Sequence, residues 1–507
     1  MLPITVEEIV NVTNGELLCG DENALVSGAT TNSKNVKTGD IFVPIIGERV
    51  DGHNFIDMAI ELGAVATFTQ EHSMNDIENL NDEIAYIKVD DCLKALQTVA
   101  AYVRGQYDIP IVGITGSVGK TTTKEMIAAA LEHELSIMKT EGNMNSQIGV
   151  ALMMFRLRDI YDGAVIEMGI SEVNEMKNLT NIAKPTFAVV TNIGVAHISQ
   201  FKTQDNICRE KLSIVDSFTD MDDYEDGYEI LRKQLEFANL TEYNILFLNG
   251  DDKILKKVRD YKKGIIDDCP LDDRTKDIIK RNKVITYGLS DDCDYKAENV
   301  VMKNGCGSFD VVIDDITYSV RLNALGEHNI YNALVALAVA NSFGVSMDDA
   351  IKGVESYKSM SMRGEIIDVN GIKIIDDTYN ASPDSMKSGI NVLKNLDNIK
   401  RRIAVLGDMF ELGDEAYNGH YSVGEHIANI NKDAKEANKI DLLITVGELA
   451  GNIARGAADC GIEIQTFVNI KDASVYLKDI IRPGDGILVK GSRGMKMDLI
   501  VNDLKNK

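Results

Sequence analysis

The sequence predicts an α/β protein of three domains, with parallel sheets and helices alternating along most of the chain. Three observations carry this. A chain of 507 residues is long enough for about three domains on the usual prior. From residue 109 onward, short β-branched runs alternate with helical stretches, the pattern of parallel sheets. At residues 109–124 a β-branched run passes through Thr115-Gly-Ser-Val-Gly-Lys-Thr-Thr-Thr-Lys124 into an apolar-periodic helix. Strand, glycine loop, Lys-Thr and helix together make a phosphate-binding element.

Composition narrows the partners. Hydrophobic residues make up 44% of the chain, enough for several cores. A net charge of −26 argues against nucleic acid or an anionic membrane as partner. An anionic substrate must then be met by local Lys and Arg, helix N-termini and metal ions. The start, Met1-Leu-Pro-Ile-Thr-Val-Glu-Glu, lacks the basic and apolar regions of a signal peptide. No run approaches the ~18 apolar residues of a membrane span. Seven scattered cysteines without a C-x-x-C pair suit a reducing cytoplasm, offer no zinc site and read as structural thiols. A cytoplasmic protein, acting as a monomer, is expected.

Residues 1–108 predict a small α/β domain. Helices are expected from residue 6 and at 56–62 and 93–106, with strands at 64–68 and 84–89. Polar, glycine-punctuated loops at 30–44 and 45–55 are its candidate functional surface. Asn32, Ser33 and Lys34 could hold a phosphate, although turn chemistry accounts for them without one.

Residues 109–345 predict the central domain, with strands at 109–115, 164–168, 187–192, 245–249 and 284–287. In such a sheet a nucleotide lies at the carboxyl ends of the strands. Gly116 and Gly119 let backbone N–H groups approach phosphates, with Ser117 and Thr122 beside them. The helix N-terminus adds positive potential, Lys120 can reach the β- and γ-phosphates, and Thr121 can ligate Mg²⁺. The spacing departs from G-x-x-x-x-G-K-[ST], because Ile114 stands at the first glycine position. Other strand ends carry Gly142-Asn-Met-Asn-Ser-Gln-Ile-Gly149, Glu167-Met-Gly and Thr191-Asn-Ile-Gly-Val-Ala-His197, with Lys211 following on a helix. Glu167 and His197, at neighbouring strand ends beside a phosphate loop, are candidate Mg²⁺ ligands for phosphoryl transfer. The acidic stretch 220–229 and residues 262–283 read as solvated surface insertions. A hairpin is expected around Asp314-Asp315. Asn329 and Asn332 share the first turn of an Ala-rich helix, where helix capping is an equal alternative to ligand binding.

Residues 346–507 predict a Rossmann-like domain without G-x-G-x-x-G. Val369-Asn-Gly-Ile372 is a hairpin signal, and Pro383 opens a helix. Strands at 402–406, 442–446, 464–467 and 486–490 follow. Their ends gather Asp376, Asp377, Tyr379, Asn380, Gly407-Asp-Met409 and Lys490-Gly-Ser-Arg493, a site facing the central domain.

Taken together, these motifs resemble the Mur ligases, the ATP-dependent amide ligases of peptidoglycan precursor synthesis. The phosphate loop, 142–149, 167–169, 191–197, Gly326-Glu-His-Asn-Ile-Tyr-Asn-Ala333, Asp376-Asp-Thr-Tyr-Asn-Ala-Ser-Pro-Asp-Ser-Met386 and Leu488-Val-Lys-Gly-Ser-Arg493 stand in the family's order. Asp376-Asp-Thr-Tyr-Asn and Leu406-Gly-Asp-Met-Phe-Glu-Leu-Gly413 look like the member that joins D-Ala-D-Ala to UDP-N-acetylmuramoyl-tripeptide. The resemblance implies a UDP-substrate domain, an ATPase domain and an amino-acceptor domain. It implies ATP with two Mg²⁺ sites, and a CO₂-derived carbamate on Lys211 that serves one of them beside Glu167 and His197. It places His328, Asn329, Asn332, Arg363 and Asp377 at the ATP, and Ser33, Asn143, Asn145, Tyr379, Asn380, Lys490, Ser492 and Arg493 toward the other substrates. Departures from the family pattern at Asn32, Lys34, Ser146-Gln147, Ser382 and Gly494 bear on substrate grip rather than nucleotide chemistry. Two alternatives remain: the same scaffold with another amine acceptor, and a non-catalytic nucleotide-binding paralogue. The N-terminal segment argues against a folate substrate, and the full metal set argues against a mere binder.

Overall fold

The computed structural model describes residues 1–47, 49–75, 80–81, 83–218, 244–433 and 438–506. Three sheets succeed one another along the chain, preceded by a minor pair, β1 (Ile4–Thr5) with β3 (Leu25–Val26). The N-terminal sheet has the order β2 (Glu16–Cys19), β7 (Ala85–Lys88), β6 (Ala66–Thr69), β5 (Asp40–Phe42), β4 (Gly28–Thr30). All its pairs are parallel except β2 with β7.

The helix Cys92–Gly105 ties this unit to the next. Its buried face, including Leu96, Val99 and Val103, joins one core with residues of the central sheet and of the helix Gln147–Met154. Arg104, buried at that junction, donates from Nε to the Ala183 carbonyl at 2.9 Å and from Nη2 to the Ile109 carbonyl at 2.9 Å. A third bond runs to the Tyr107 carbonyl.

The central sheet has nine strands. Its parallel part runs β9 (Ile137–Lys139), β10 (Gly163–Glu167), β8 (Ile111–Thr115), β11 (Phe187–Val190), β12 (Ile245–Asn249), β13 (Lys283–Gly288). These strands are almost wholly buried, as helices on both faces demand. β14 (Tyr295–Lys303) pairs with β13 in parallel, and β15 (Cys306–Ile313) and β16 (Ile316–Leu325) continue the sheet beyond it by antiparallel pairing. The expected turn at Asp314-Asp315 is there, with φ of 50° and 64°. β9 and β14 were not anticipated. β9 has only three residues, and β14 exposes a run around Asn299 and Val300 that hides its alternation.

The acidic stretch 220–229 lies outside the described residues. The reading of 262–283 as a solvated insertion needs correction. It contains the helix Asp273–Arg281, and Cys269, Leu271 and Ile279 enter the main core.

The third sheet runs β17 (Glu365–Val369), β18 (Ile372–Asp377), β22 (Asp485–Lys490), β19 (Arg401–Gly407), β20 (Leu442–Val446), β21 (Glu463–Phe467), parallel apart from the first pair. Asn370 and Gly371 turn the β17–β18 hairpin with φ of 53° and 79°, the twist such two-residue loops favour. The helix Met347–Ser356 precedes this sheet and packs on the central helices Lys120–Leu131 and His328–Ser342. The carboxyl ends of the central and third sheets border one cleft of about 980 Å³.

Candidate active site

The phosphate loop leaves β8 at the middle of the parallel sheet. At Gly116 a Cβ would lie 1.8 Å from Thr191 Oγ1, so only glycine lets the loop pass the end of β11. The loop is held from that side. Asn192 accepts the Val118 N–H at 2.9 Å and donates back to the Val118 carbonyl at 2.9 Å, which also receives Thr191 Oγ1 at 2.6 Å. The Ser117 hydroxyl accepts the Gly194 N–H at 2.9 Å. Gly119, at φ 88°, opens the helix Lys120–Leu131 without a side-chain cap. Its first-turn N–H groups therefore present donors and positive potential to the cleft.

Lys120 Nζ donates to the Gly116 carbonyl at 2.8 Å. Burial and nearby Arg363 push its amine below the ordinary value while Glu167 pulls it back up, with burial largest. Thr121 Oγ1 donates to Glu167 Oε2 at 2.8 Å, and Asn145 Nδ2 donates to Glu167 Oε1 at 2.7 Å. The structure thus brings Thr121, Glu167 and Asn145 together from three separate segments. Thr122, Asn143 and His197 border the same cleft.

His197 has a left-handed backbone, φ 58°, and its Nδ1 faces Glu411 Oε2 of the third domain at 3.1 Å. Burial holds its imidazole below the ordinary pKa, against the pull of Glu411. Lys211 is buried and does not line the cleft. Desolvation and the Lys120 charge push its amine well below 10.5, with Glu210 opposing.

A hydroxyl and a carboxylate are the hard oxygen donors that Mg²⁺ takes, and Thr121 and Glu167 meet at 2.8 Å. Neutral His197 adds a nitrogen. The donor set fits Mg²⁺, with Lys211 usable only once its amine has become an oxygen ligand.

Another grouping, Asp51, His53 and Glu71, brings three candidate ligand atoms within 4.8 Å. His53 Nε2 accepts the Gln70 N–H at 3.1 Å, so Nδ1 carries the proton toward Asp51 Oδ1 at 2.7 Å. A ring bonded at both nitrogens has no lone pair left for a metal.

Asn329 and Asn332 do not cap their helix, whose N-cap is Glu327. Asn332 accepts from Thr123 Oγ1 at 2.9 Å and donates to Asn329, which donates to the Leu325 carbonyl. The pair ties this helix to the phosphate-loop helix while bordering the cleft with His328. His328 is solvent-exposed, and desolvation by the surrounding cleft atoms holds its imidazole below its ordinary pKa.

Across the cleft, the Arg363 guanidinium stacks on the Tyr379 ring, 3.8 Å from its centroid. Asp377 is gripped by buried Lys490, Nζ to Oδ2 at 2.6 Å, and the same amine reaches the Asn380 carbonyl at 3.0 Å. Lys490 is thus spent on positioning Asp377 and Asn380. Ser492 is likewise buried, its hydroxyl accepting the Phe410 N–H at 2.9 Å. Arg493 is exposed outside the cleft lining. Ser33 is buried in the N-terminal unit, away from this cleft, and Asn32 accepts the Lys34 N–H at 3.1 Å, the turn chemistry that sequence offered.

Sequence reasoning gave no role to Asn192 or Glu411. Both stand in quoted motifs, but their partners come from distant segments. Gln147, one of the departures from the family pattern, is a hub. It accepts from Gln97 at 3.0 Å and Asn178 at 3.1 Å, and donates to Glu175 at 3.1 Å.

Comparison with known proteins agrees along the whole chain. Family models described as Mur ligase family, catalytic domain, Mur ligase middle domain and Mur ligase, glutamate ligase domain match residues 25–104, 114–268 with 253–340, and 362–493. The UDP-N-acetylmuramoyl-tripeptide–D-alanyl-D-alanine ligase of Bacillus subtilis is 33% identical over 99% of both chains. A crystal structure of MurF from Acinetobacter baumannii superposes with a TM-score of 0.82 at 27% identity, covering 100% of this chain and 99% of that one. MurF ligase from Thermotoga maritima in complex with ADP gives 0.74 at 25% identity, covering 94% and 97%. With domains matched in order and a relative of this identity aligned end to end, the chain belongs to the Mur ligase family.

Proposed function

We propose that this chain is an ATP-dependent ligase that joins D-Ala-D-Ala to UDP-N-acetylmuramoyl-tripeptide in peptidoglycan precursor synthesis. The observation that carries the reading is one cleft in which an uncapped phosphate-loop helix with Lys120, Thr121 and Glu167 faces Arg363 and Asp377 of another domain. End-to-end similarity to ligases of that name supports the choice of substrates.

The tripeptide carboxylate attacks the γ-phosphate of ATP, forming an acyl phosphate and ADP. Charge gathers on the transferring group, and Lys120, Arg363 and the first-turn N–H groups are placed to offset it. Thr121, Glu167 and His197, with Lys211 as its carbamate, would hold Mg²⁺, which supplies Lewis-acid charge at the phosphates. The amine of D-Ala-D-Ala then attacks the acyl carbon, and phosphate leaves. No protein nucleophile takes part, so positioning and exclusion of water carry the rate. Residues 1–108 with Ser33 serve the UDP-sugar, 109–345 the ATP, and 346–507 the acceptor. The enzyme works as a monomer in the cytoplasm; no helix of the described residues is long and apolar enough to cross a membrane.

The test is phosphate release from ATP with UDP-N-acetylmuramoyl-tripeptide, comparing D-Ala-D-Ala with other amines, for the native chain and Lys120→Ala. Release that depends on the dipeptide and vanishes in Lys120→Ala is expected. Release indifferent to the dipeptide points to another acceptor, and near-normal turnover by Lys120→Ala overturns the assignment.

A further inference from the structure

A dipeptide acceptor arrives as a zwitterion. Its ammonium end must approach the activated carboxyl, and its carboxylate end must be held elsewhere. In a cleft furnished with phosphate-binding cations, an ammonium needs its own anion. The carboxylates bordering the cleft differ in what they already hold. Glu167 accepts from Thr121 and Asn145, and Asp377 is paired with Lys490. Asp251 accepts the Leu289 and Ser290 N–H groups, and Asp252 caps the helix Lys253–Lys262. Glu175 accepts the Ser171 and Glu172 N–H groups, and Asp384 lies in the first turn of the helix Pro383–Lys394, where the dipole holds its charge.

Glu411 is different. Its side chain is 62% exposed, and Oε2 lies 3.1 Å from Nδ1 of His197 across the domain boundary, a neutral imidazole rather than a fixed cation. Its backbone sits at φ 67°, a left-handed region that a non-glycine residue adopts only when its surroundings force it. The flanking loop supplies that force. The Met409 N–H donates to His420 Nε2 at 2.9 Å, and the Phe410 N–H to Ser492 Oγ at 2.9 Å. Gly413 is pressed against Ser199, where a Cβ would come within 2.7 Å. The result is a carboxylate held at the facing edge of the two domains, beside the metal-side histidine.

The same loop leads to a cation. Phe410 is 42% exposed, and its ring lies against Gly494, where a Cβ would meet it at 3.0 Å. Next to Gly494, the Arg493 side chain is 57% exposed, and its ion pair with Asp498 is loose at 3.5 Å. An anion, an apolar ring and a cation thus follow one another along one edge of the third domain.

The geometry points to this edge as the acceptor subsite: Glu411 takes the ammonium of a zwitterionic dipeptide, Phe410 lies against its methyl groups, and Arg493 takes its terminal carboxylate. This rests on the ligase reading above. His197 Nδ1, 3.1 Å from Glu411 Oε2, here occupies the place that the ammonium would take.

The experiment uses the full chain with Mg-ATP and UDP-N-acetylmuramoyl-tripeptide, and follows ADP release with three acceptors. These are D-Ala-D-Ala, its C-terminal amide, and hydroxylamine, which is a neutral nucleophile near pH 8. Glu411→Gln is expected to lose about ten- to a hundred-fold in kcat/KM for the dipeptide, mainly through KM, as for loss of a charged hydrogen bond. Its hydroxylamine-dependent rate should match the native chain. Arg493→Met should lose a similar factor with D-Ala-D-Ala but none with the amide. Native kinetics for Glu411→Gln with the dipeptide overturn the proposal. So does an equal loss with hydroxylamine, which would place Glu411 in service of His197 alone. Arg493→Met losing equally on dipeptide and amide overturns its carboxylate arm. A native chain that releases ADP with none of the three refutes the ligase reading itself.

Discussion

Replacing Tyr379 isolates the contact that holds Arg363 in the cleft wall. Arg363 stands on the loop before β17, and its guanidinium centre lies 3.8 Å from the Tyr379 ring centroid. The Tyr379 backbone N–H also holds that loop, donating to the Met362 carbonyl at 3.0 Å, and this bond survives any side-chain change. A cation over an aromatic face contributes about 0.5–1 kcal/mol when exposed and about 2 when desolvated. Both residues are half-buried, so about 1 kcal/mol applies. By the usual conversion of ~1.4 kcal/mol per factor of ten, Tyr379→Leu should cost about five-fold in kcat/KM for ATP. Tyr379→Phe keeps the ring and should stay within about two-fold of native. The assay is initial-rate kinetics at varied ATP with the other substrates saturating. Native behaviour in Tyr379→Leu refutes the stacking role. A Phe variant as impaired as the Leu variant shows that the hydroxyl, not the ring, matters.

Three further outcomes follow from the same geometry. Desolvation and the Lys120 charge hold the amine of Lys211 well below 10.5, which favours the neutral form that reacts with CO₂ over that of an exposed lysine. Incubation with ¹³C-bicarbonate should give one carbamate carbon signal that disappears in Lys211→Arg, and a native chain without the signal contradicts the carbamate. Desolvation in the cleft lowers the pKa of both His197 and His328, so falling pH charges them only below their ordinary value of about 6.5. The acid limb of the kcat/KM profile should therefore lie below pH 6.5, and a limb above pH 7 that moves in His328→Gln would contradict this. Arg104→Ala removes the donors of the Ala183 and Ile109 carbonyls at a buried junction. At about 1–3 kcal/mol for each of these two groups left unpaired, chemical denaturation should show a loss of about 2–6 kcal/mol; a loss under 1 would mean the junction does not depend on it.

Where sequence reasoning succeeded, the determinants are local. The phosphate loop, the Asn370-Gly371 and Asp314-Asp315 turns and the Pro383 helix start are short-range backbone chemistry, and each is found in place. The parallel strands of the central sheet are legible because burial on both faces demands continuous apolar runs. The three-residue edge strand β9 and the half-exposed β14 carry too little pattern to stand out. The stretch 262–283 looked solvated because its charges mask the few residues, Leu271 and Ile279 among them, that reach the core.

Site residues divide in the same way. Lys120, Thr121 and Glu167 could be placed from strand-end logic. That Lys490 is committed to Asp377 could not, because the pair forms between neighbouring strands 113 residues apart in the chain. Glu411 was invisible as a site residue for the same reason: its partner, His197, belongs to another domain.

The central claim is that the tripeptide carboxylate is activated by phosphorylation in this cleft. UDP-N-acetylmuramoyl-tripeptide labelled with ¹⁸O in its terminal carboxylate, incubated with the enzyme, Mg-ATP and D-Ala-D-Ala, tests it through the mass of the phosphate released. The account predicts one ¹⁸O atom in the phosphate for each dipeptide joined. Amide product formed with unlabelled phosphate would contradict it.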